Sequence, residues 1–150
     1  MKREKVVLAF GTFDILHLGH IYYLKKARAL GTELIVVVAR DETVAREKGT
    51  EPLKDEKQRV AIVRALRFVD KAVLGLKGDK MRVILKYKPD VIALGYDHKV
   101  SKQTIERFLK RHGLQAKVVR IRAYKPAKYK SSLLKKKIQA TTLDLGIDII

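Results

Sequence analysis

The stretch that decides the fold is Val6-Val7-Leu8-Ala9-Phe10-Gly11-Thr12-Phe13-Asp14-Ile15-Leu16-His17-Leu18-Gly19-His20. Five consecutive apolar residues run into a glycine, and an amphipathic stretch of helical length follows, from about His17 to Leu30. That is a strand buried on both faces, a turn, and a helix: the opening unit of a parallel α/β sheet. The rest of the chain repeats the alternation. Further strands are expected at Leu34 to Ala39, Lys71 to Leu74, Val91 to Leu94 and Lys117 to Ile121. Helices are expected at Asp55 to Leu66, Lys80 to Tyr87, Ser101 to Arg111 and Ser131 to Ile138. The punctuation agrees with these limits. Gly31 and Gly113 stand where a helix ends, Pro89 bars extension of the third helix, and Asp55 with Gln58 reads as a capping pair. The expected fold class is therefore a single Rossmann-like, doubly wound α/β domain with a five-stranded parallel sheet.

Outward from this core, length and composition allow one domain spanning residues 1–150, its C-terminal helix and tail beginning at about 131. The 150 residues are 47% hydrophobic, enough for one substantial core. No cysteine is present, which excludes disulfides, thiolate metal sites and cysteine nucleophiles. The apolar run after Met1 ends at Gly11, far short of a membrane span or a signal segment, so a cytoplasmic protein with no membrane partner is expected. The formal net charge is +18, and no Asp or Glu occurs between Arg107 and Leu143. Such a field attracts anions, either nucleic acid or a small polyphosphate. A non-catalytic nucleic-acid module is the less favoured of the two, since no RNA-binding signature with interleaved aromatic residues appears.

In an open α/β sheet, ligands lie beyond the carboxyl ends of the strands, where strand order reverses. The segment after the first strand is the strongest candidate. A helix N-terminus offers N–H groups and the positive end of a dipole, while Gly11 and Gly19 leave room for an approaching phosphate. His17 and His20 are three apart, so both rings are expected on one side of the first helical turn. There they would hydrogen-bond phosphate oxygens and, when charged, offset charge developing at an α-phosphate. Zinc is not expected, because neither HExxH nor a third ligand is present, and no P-loop occurs. The least regular segments, Asp41 to Lys54 and Tyr124 to Lys130, are read as active-site loops.

The run GTFDILHLGH resembles the nucleotidyltransferase motif of the cytidylyltransferase family, GTFD-x-x-H-x-GH, whose histidines contact the triphosphate. The segments VVVARDETVAREKG, KQRVAIVRALRFVDKAVLG, KPDVIALGYDH and AYKPAKYKSS extend the resemblance almost to the end of the chain, and together they resemble the archaeal FAD synthases of that family. The resemblance implies AMP transfer from ATP to FMN, giving FAD and pyrophosphate, with Mg²⁺ held mainly by the triphosphate and no protein metal site. It implies catalytic roles for His17, His20 and Lys48. Nucleotide contacts are implied at Gly11, Thr12, Phe13, Asp14, Gly19, Asp97, Ser131 and Ser132, and phosphate support at Arg59, Arg67 and Lys125. His98 departs from the family pattern, and so does Lys130. Tyr22, Tyr23 and Tyr124 are open as flavin neighbours or as core. Another small phosphate acceptor, such as glycerol 3-phosphate or phosphopantetheine, remains the alternative, and relatives are often homodimers.

Overall fold

In the computed structural model, which describes residues 3–124 and 131–145, the elements follow the expected alternation. They are β1 (Val6–Gly11), α1 (Leu18–Arg28), β2 (Glu33–Val38), α2 (Asp41–Lys48), α3 (Glu56–Arg64), β3 (Lys71–Leu74), α4 (Arg82–Tyr87), β4 (Val91–Leu94), α5 (Lys102–Arg111), β5 (Lys117–Arg120) and α6 (Ser131–Leu145). All four strand pairings are parallel, in the order β3-β2-β1-β4-β5. The direction of winding therefore reverses between β1 and β4.

Alternation along the strands builds the two layers. Val7 and Ala9, Leu34, Val36 and Val38, and Val91 and Ala93 face one cluster, which is completed by Tyr23, Leu24 and Ala27 of α1 and Val60 and Val63 of α3. Leu8, Ile35 and Val37, and Ile92 and Leu94 face the other, completed by Val83 and Ile84 of α4 and Ile105 and Leu109 of α5. A strand with apolar layers on both sides has no polar face, which is why these segments read as continuous aliphatic blocks.

Three sequence expectations are revised. Residues 41–48 are not a loop but the helix α2, closed by Gly49 in the left-handed region at φ 75°. The acidic pair Asp41 and Glu42 occupies its first turn, where the helix dipole favours negative charge. Gly31 is no left-handed cap: a Cβ there would sit 2.4 Å from the Lys5 carbonyl oxygen, so close backbone packing requires the glycine. The last helix runs on to Leu145, beyond Ile138. Gly113 does close α5 as read, at φ 65°, with the Leu114 N–H donating to the Leu109 carbonyl.

Candidate active site

The carboxyl end of β1 turns through Thr12 and Phe13 into the start of α1. Phe13 is buried and holds a left-handed backbone, φ 55°, which is strained for an aromatic residue. Its ring folds over Gly11, where a Cβ would lie only 2.5 Å from it, and its edge meets the His20 ring at 5.2 Å. Gly11 and Phe13, expected as nucleotide contacts, thus fit each other: the glycine admits the ring that backs His20.

His17 is not within the helix but is its N-cap, with extended backbone. Its Nδ1 accepts the Gly19 N–H at 3.1 Å, and the His17 N–H donates to Nδ1 of His20 at 3.3 Å, a capping box made of two imidazoles. The rings stack with centroids 3.9 Å apart. Because each Nδ1 accepts a backbone proton, each neutral ring carries its own proton on Nε2. Burial, reinforced by the charges of His17 and Lys48, pushes the His20 pKa down to about 3. Burial likewise lowers His17, against the opposing pull of Asp97. Both shifts favour the neutral rings in the ligand-free protein, so the site presents an Nε2–H pair.

Below the histidines, charged groups tie the loops together. Arg59, expected to support phosphate, is wholly buried. Its guanidinium donates to the Lys54 carbonyl at 2.9 Å, the Thr12 carbonyl at 2.9 Å and Asp41 Oδ1 at 2.7 Å. Asp41 Oδ2 accepts the Glu56 N–H, Glu56 Oε1 accepts the Asp41 N–H, and Glu56 Oε2 pairs with Arg40, whose Nε donates to the Gly75 carbonyl. The connections that follow β1, β2 and β3 are thereby one hydrogen-bonded unit. Arg67 is exposed and falls after the end of α3 and before β3, at the amino edge of the sheet and away from the site. Arg59 is thus taken up by protein acceptors, and Arg67 lies apart from it.

Asp14 is buried too, and its oxygens accept the N–H groups of Leu53 and Lys54, at 2.8 and 2.9 Å, and the Lys135 ammonium. Burial alone would raise this carboxyl; the bonds from Lys135, Leu53 and Lys54 outweigh it and hold the pKa below its ordinary value. Lys48 ends α2 rather than standing in a loop. Its pKa is lowered by desolvation and by the nearby Lys135 charge, with Asp97 and Asp14 opposing. Lys48 is thus electrostatically linked to His20, to Lys135 and to Asp97, and Asp97 in turn to His17.

On the far side of the switch point, the Tyr23 hydroxyl accepts the Phe10 N–H at 3.1 Å and donates to the Ala93 carbonyl at 2.6 Å, bridging β1 and β4 where they part. Tyr23 is thus core, whereas Tyr22 stacks on Tyr124 at 5.0 Å. Asp97 is exposed at the tip of the turn after β4. His98 does not extend from that turn: its Nδ1 accepts the Gly95 N–H at 3.0 Å, and its ring meets Tyr23 edge-on. Arg120 secures the turn from β5 by donating to the carbonyls of Gly95, His98 and Val100. Ser131 and Ser132 open α6, with Ser132 exposed. Lys125 lies outside the described residues.

Lys135 and Arg120 escape a reading of the sequence. The first is one of three consecutive lysines on α6 and the second ends an ordinary strand; no spacing marks either. Their partners lie 121 and 25 residues away.

A parallel sheet with a histidine-capped helix at its switch point is the arrangement of a nucleotidyltransferase, and the cytidylyltransferase-like family model matches residues 8–137. The chain belongs to that family. It is 48% identical to the FAD synthase of Thermoplasma volcanium over 132 residues, covering 88% of this chain and 92% of the relative. It is 43% identical to the FAD synthase of Thermococcus kodakarensis, with 89% of each covered. The crystal structure of a lipopolysaccharide core biosynthesis protein from Thermoplasma volcanium matches with a TM-score of 0.78 at 48% identity, covering 81% of this chain and 99% of that one. A pantoate-beta-alanine ligase from Francisella tularensis, at 18% identity and a TM-score of 0.65 over 91% of this chain and 66% of its own, shares the fold.

Proposed function

We propose that this chain is an FAD synthase that transfers AMP from ATP to the phosphate of FMN and releases pyrophosphate. The observation that carries nucleotidyl transfer is the stacked His17–His20 pair, two neutral Nε2–H donors at the positive end of α1. The choice of FMN rests on the similarity to FAD synthases over most of the chain.

The acceptor phosphate is already a nucleophile, so no covalent intermediate is needed. Its oxygen attacks the α-phosphorus of ATP as the bond to the β-phosphate oxygen breaks, and positioning with charge stabilisation suffices. His17 and His20 donate to the oxygens gaining charge, and Lys48 adds a cation. Neutral donors need no counter-charge while the site is empty, and the arriving polyanion raises both imidazole pKa values. The Ser131 and Ser132 end of α6 takes the departing pyrophosphate, as a helix N-terminus favours an anion. Asp97 accepts from hydroxyl or amino donors of the nucleoside. Gly19 contributes through backbone geometry, as does Thr12, held by Arg59.

Among the described residues no group of three or more His, Asp or Glu is arranged to hold a metal ion. Mg²⁺ in this reading enters as part of the triphosphate substrate, and no protein ligand is assigned to it. No helix of the described residues is long and apolar enough to cross a membrane. The reading carries with it cytoplasmic action and the homodimer that the family resemblance implies, the latter checked by light scattering.

The test is pyrophosphate release in Mg²⁺, with ATP and CTP crossed against FMN, glycerol 3-phosphate and phosphopantetheine, and products identified by mass. FAD formed from ATP and FMN is expected. Release only with another acceptor would overturn the flavin assignment and keep the chemistry; no release with any pair would overturn both.

A further inference from the structure

Asp14 joins three separate pieces of chain. It belongs to the turn after β1, it accepts N–H groups from the segment before α3, and it takes the Lys135 ammonium from α6. It is 3% exposed, whereas the Lys135 side chain is 36% exposed, so the lysine seals the carboxylate from the solvent side. Over residues 132–140 of α6 little is buried: Leu133 and Ile138 are exposed, and so are residues 136–140. The Lys135–Asp14 bond ties this part of α6 to the nucleotide motif.

Lys48 lies close enough for the Lys135 charge to lower its proton affinity. Asp97 and Asp14 both oppose the Lys135 charge at Lys48, and Asp14 is already bonded to the Lys135 ammonium and to two backbone N–H groups. A polyphosphate bound beside Lys48 adds negative charge that favours both ammonium groups in their charged form. Docking of α6 and binding of the polyphosphate then favour each other, since any ligand preferring the docked state shifts the chain toward it.

We propose that Lys135 is a positioning residue that docks α6 on the β1–α1 turn through Asp14 and thereby sets the affinity for the triphosphate substrate. The inference rests on the reading that the cleft takes a nucleoside triphosphate. Lys135 reaches the chemistry through Asp14 and the placement of the α6 N-terminus.

The experiment compares wild type with Lys135→Met, Lys135→Arg, Asp14→Asn and the Lys135→Met/Asp14→Asn double variant. Amide hydrogen exchange over residues 132–140 is measured without ligand and with MgATP, ATP affinity by calorimetry, and KM and kcat by pyrophosphate release. Lys135→Met should exchange faster in α6 without ligand while the sheet stays protected. Its KM and Kd for ATP should rise about tenfold, a usual size for coupling between linked equilibria, with kcat within about twofold. Lys135→Arg should restore most of the affinity, and the double variant should be no worse than the poorer single one.

Unchanged α6 exchange in Lys135→Met would overturn the proposal, as would a fall in kcat at constant KM, which would place Lys135 on the reacting phosphates. Should wild type bind no ATP, the substrate reading fails by itself, and the ligand-free exchange difference still decides whether Lys135 docks the helix. Lys135 is only partly buried, so its variants fold and carry the test even if Asp14→Asn does not.

Discussion

Within the β1–α1 turn, His17 and His20 are bonded to each other across three residues of chain, while Asp14, three residues before His17, is held by Lys135 at a separation of 121 residues. The first arrangement is local. Once a helix starts at Leu18, its N-cap and third residue meet through the ordinary geometry of a capping box, and only the residue types need be specified. The second arises only when the whole sheet has formed and α6 has returned across it. The geometry of the histidine pair is therefore set locally, and the long-range contacts determine how the pair is supported and what surrounds it.

Arg59 tests the supporting side most severely. Arg59→Ala removes three hydrogen bonds from a fully buried guanidinium and leaves the Thr12 and Lys54 carbonyls unpaired. Breaking a buried charged contact of this kind costs about 3 to 5 kcal/mol, to be read from denaturant unfolding. An equally stable variant would mean that the connections after β1 and β2 hold without it.

The local side is tested next. His17→Ala and His20→Ala should each lower kcat by roughly a hundredfold, the usual penalty for losing one donor to developing charge, while near-UV circular dichroism stays unchanged. Near-native turnover in either variant would remove the imidazole pair from the mechanism.

A pH series sharpens the contrast. His20 has a folded pKa of about 3 against an ordinary 6.5, so the unfolded chain binds the extra proton first. Stability from this group is complete above pH 6.5 and is lost as pH falls from there toward 3. Asp14, with its pKa lowered below 3.8, adds a loss only at the acid end of that range. The melting temperature of wild type should fall between pH 6.5 and 4.5, and His20→Gln should flatten that decline; parallel curves would mean that His20 is not held neutral. The smallest effect is expected at Arg67, where Arg67→Ala should leave turnover within about twofold, as for other surface changes away from a site. A large loss there would require Arg67 to reach across from the amino edge of the sheet.

How far the sequence carries is clear at individual positions. The aliphatic blocks placed the five strands to within a residue at either end, because burial on both faces leaves no other composition for them. The placement of α2 failed for the opposite reason. Residues 41–48 bury only Val44, so hardly any apolar period marks the helix, and its stability comes from Asp41 and Arg59 meeting across 18 residues of chain. Arg59 itself reads as a surface cation on a helix; only the packing of α3 against the β1 turn turns it inward.

What the sequence by itself determined is the alternation of strands and helices, the glycine-containing turn after β1, and the two histidines in it, since each depends on residues within one turn or one strand of each other. The tertiary structure alone decided that His20 is held neutral by burial, that Asp14 and Arg59 are bonded to protein groups far off in the chain, and that the Lys135 charge acts on Lys48. Protonation follows from burial, and charge pairing follows from distance in space. Neither quantity exists for a residue until segments far apart in the chain have been packed together.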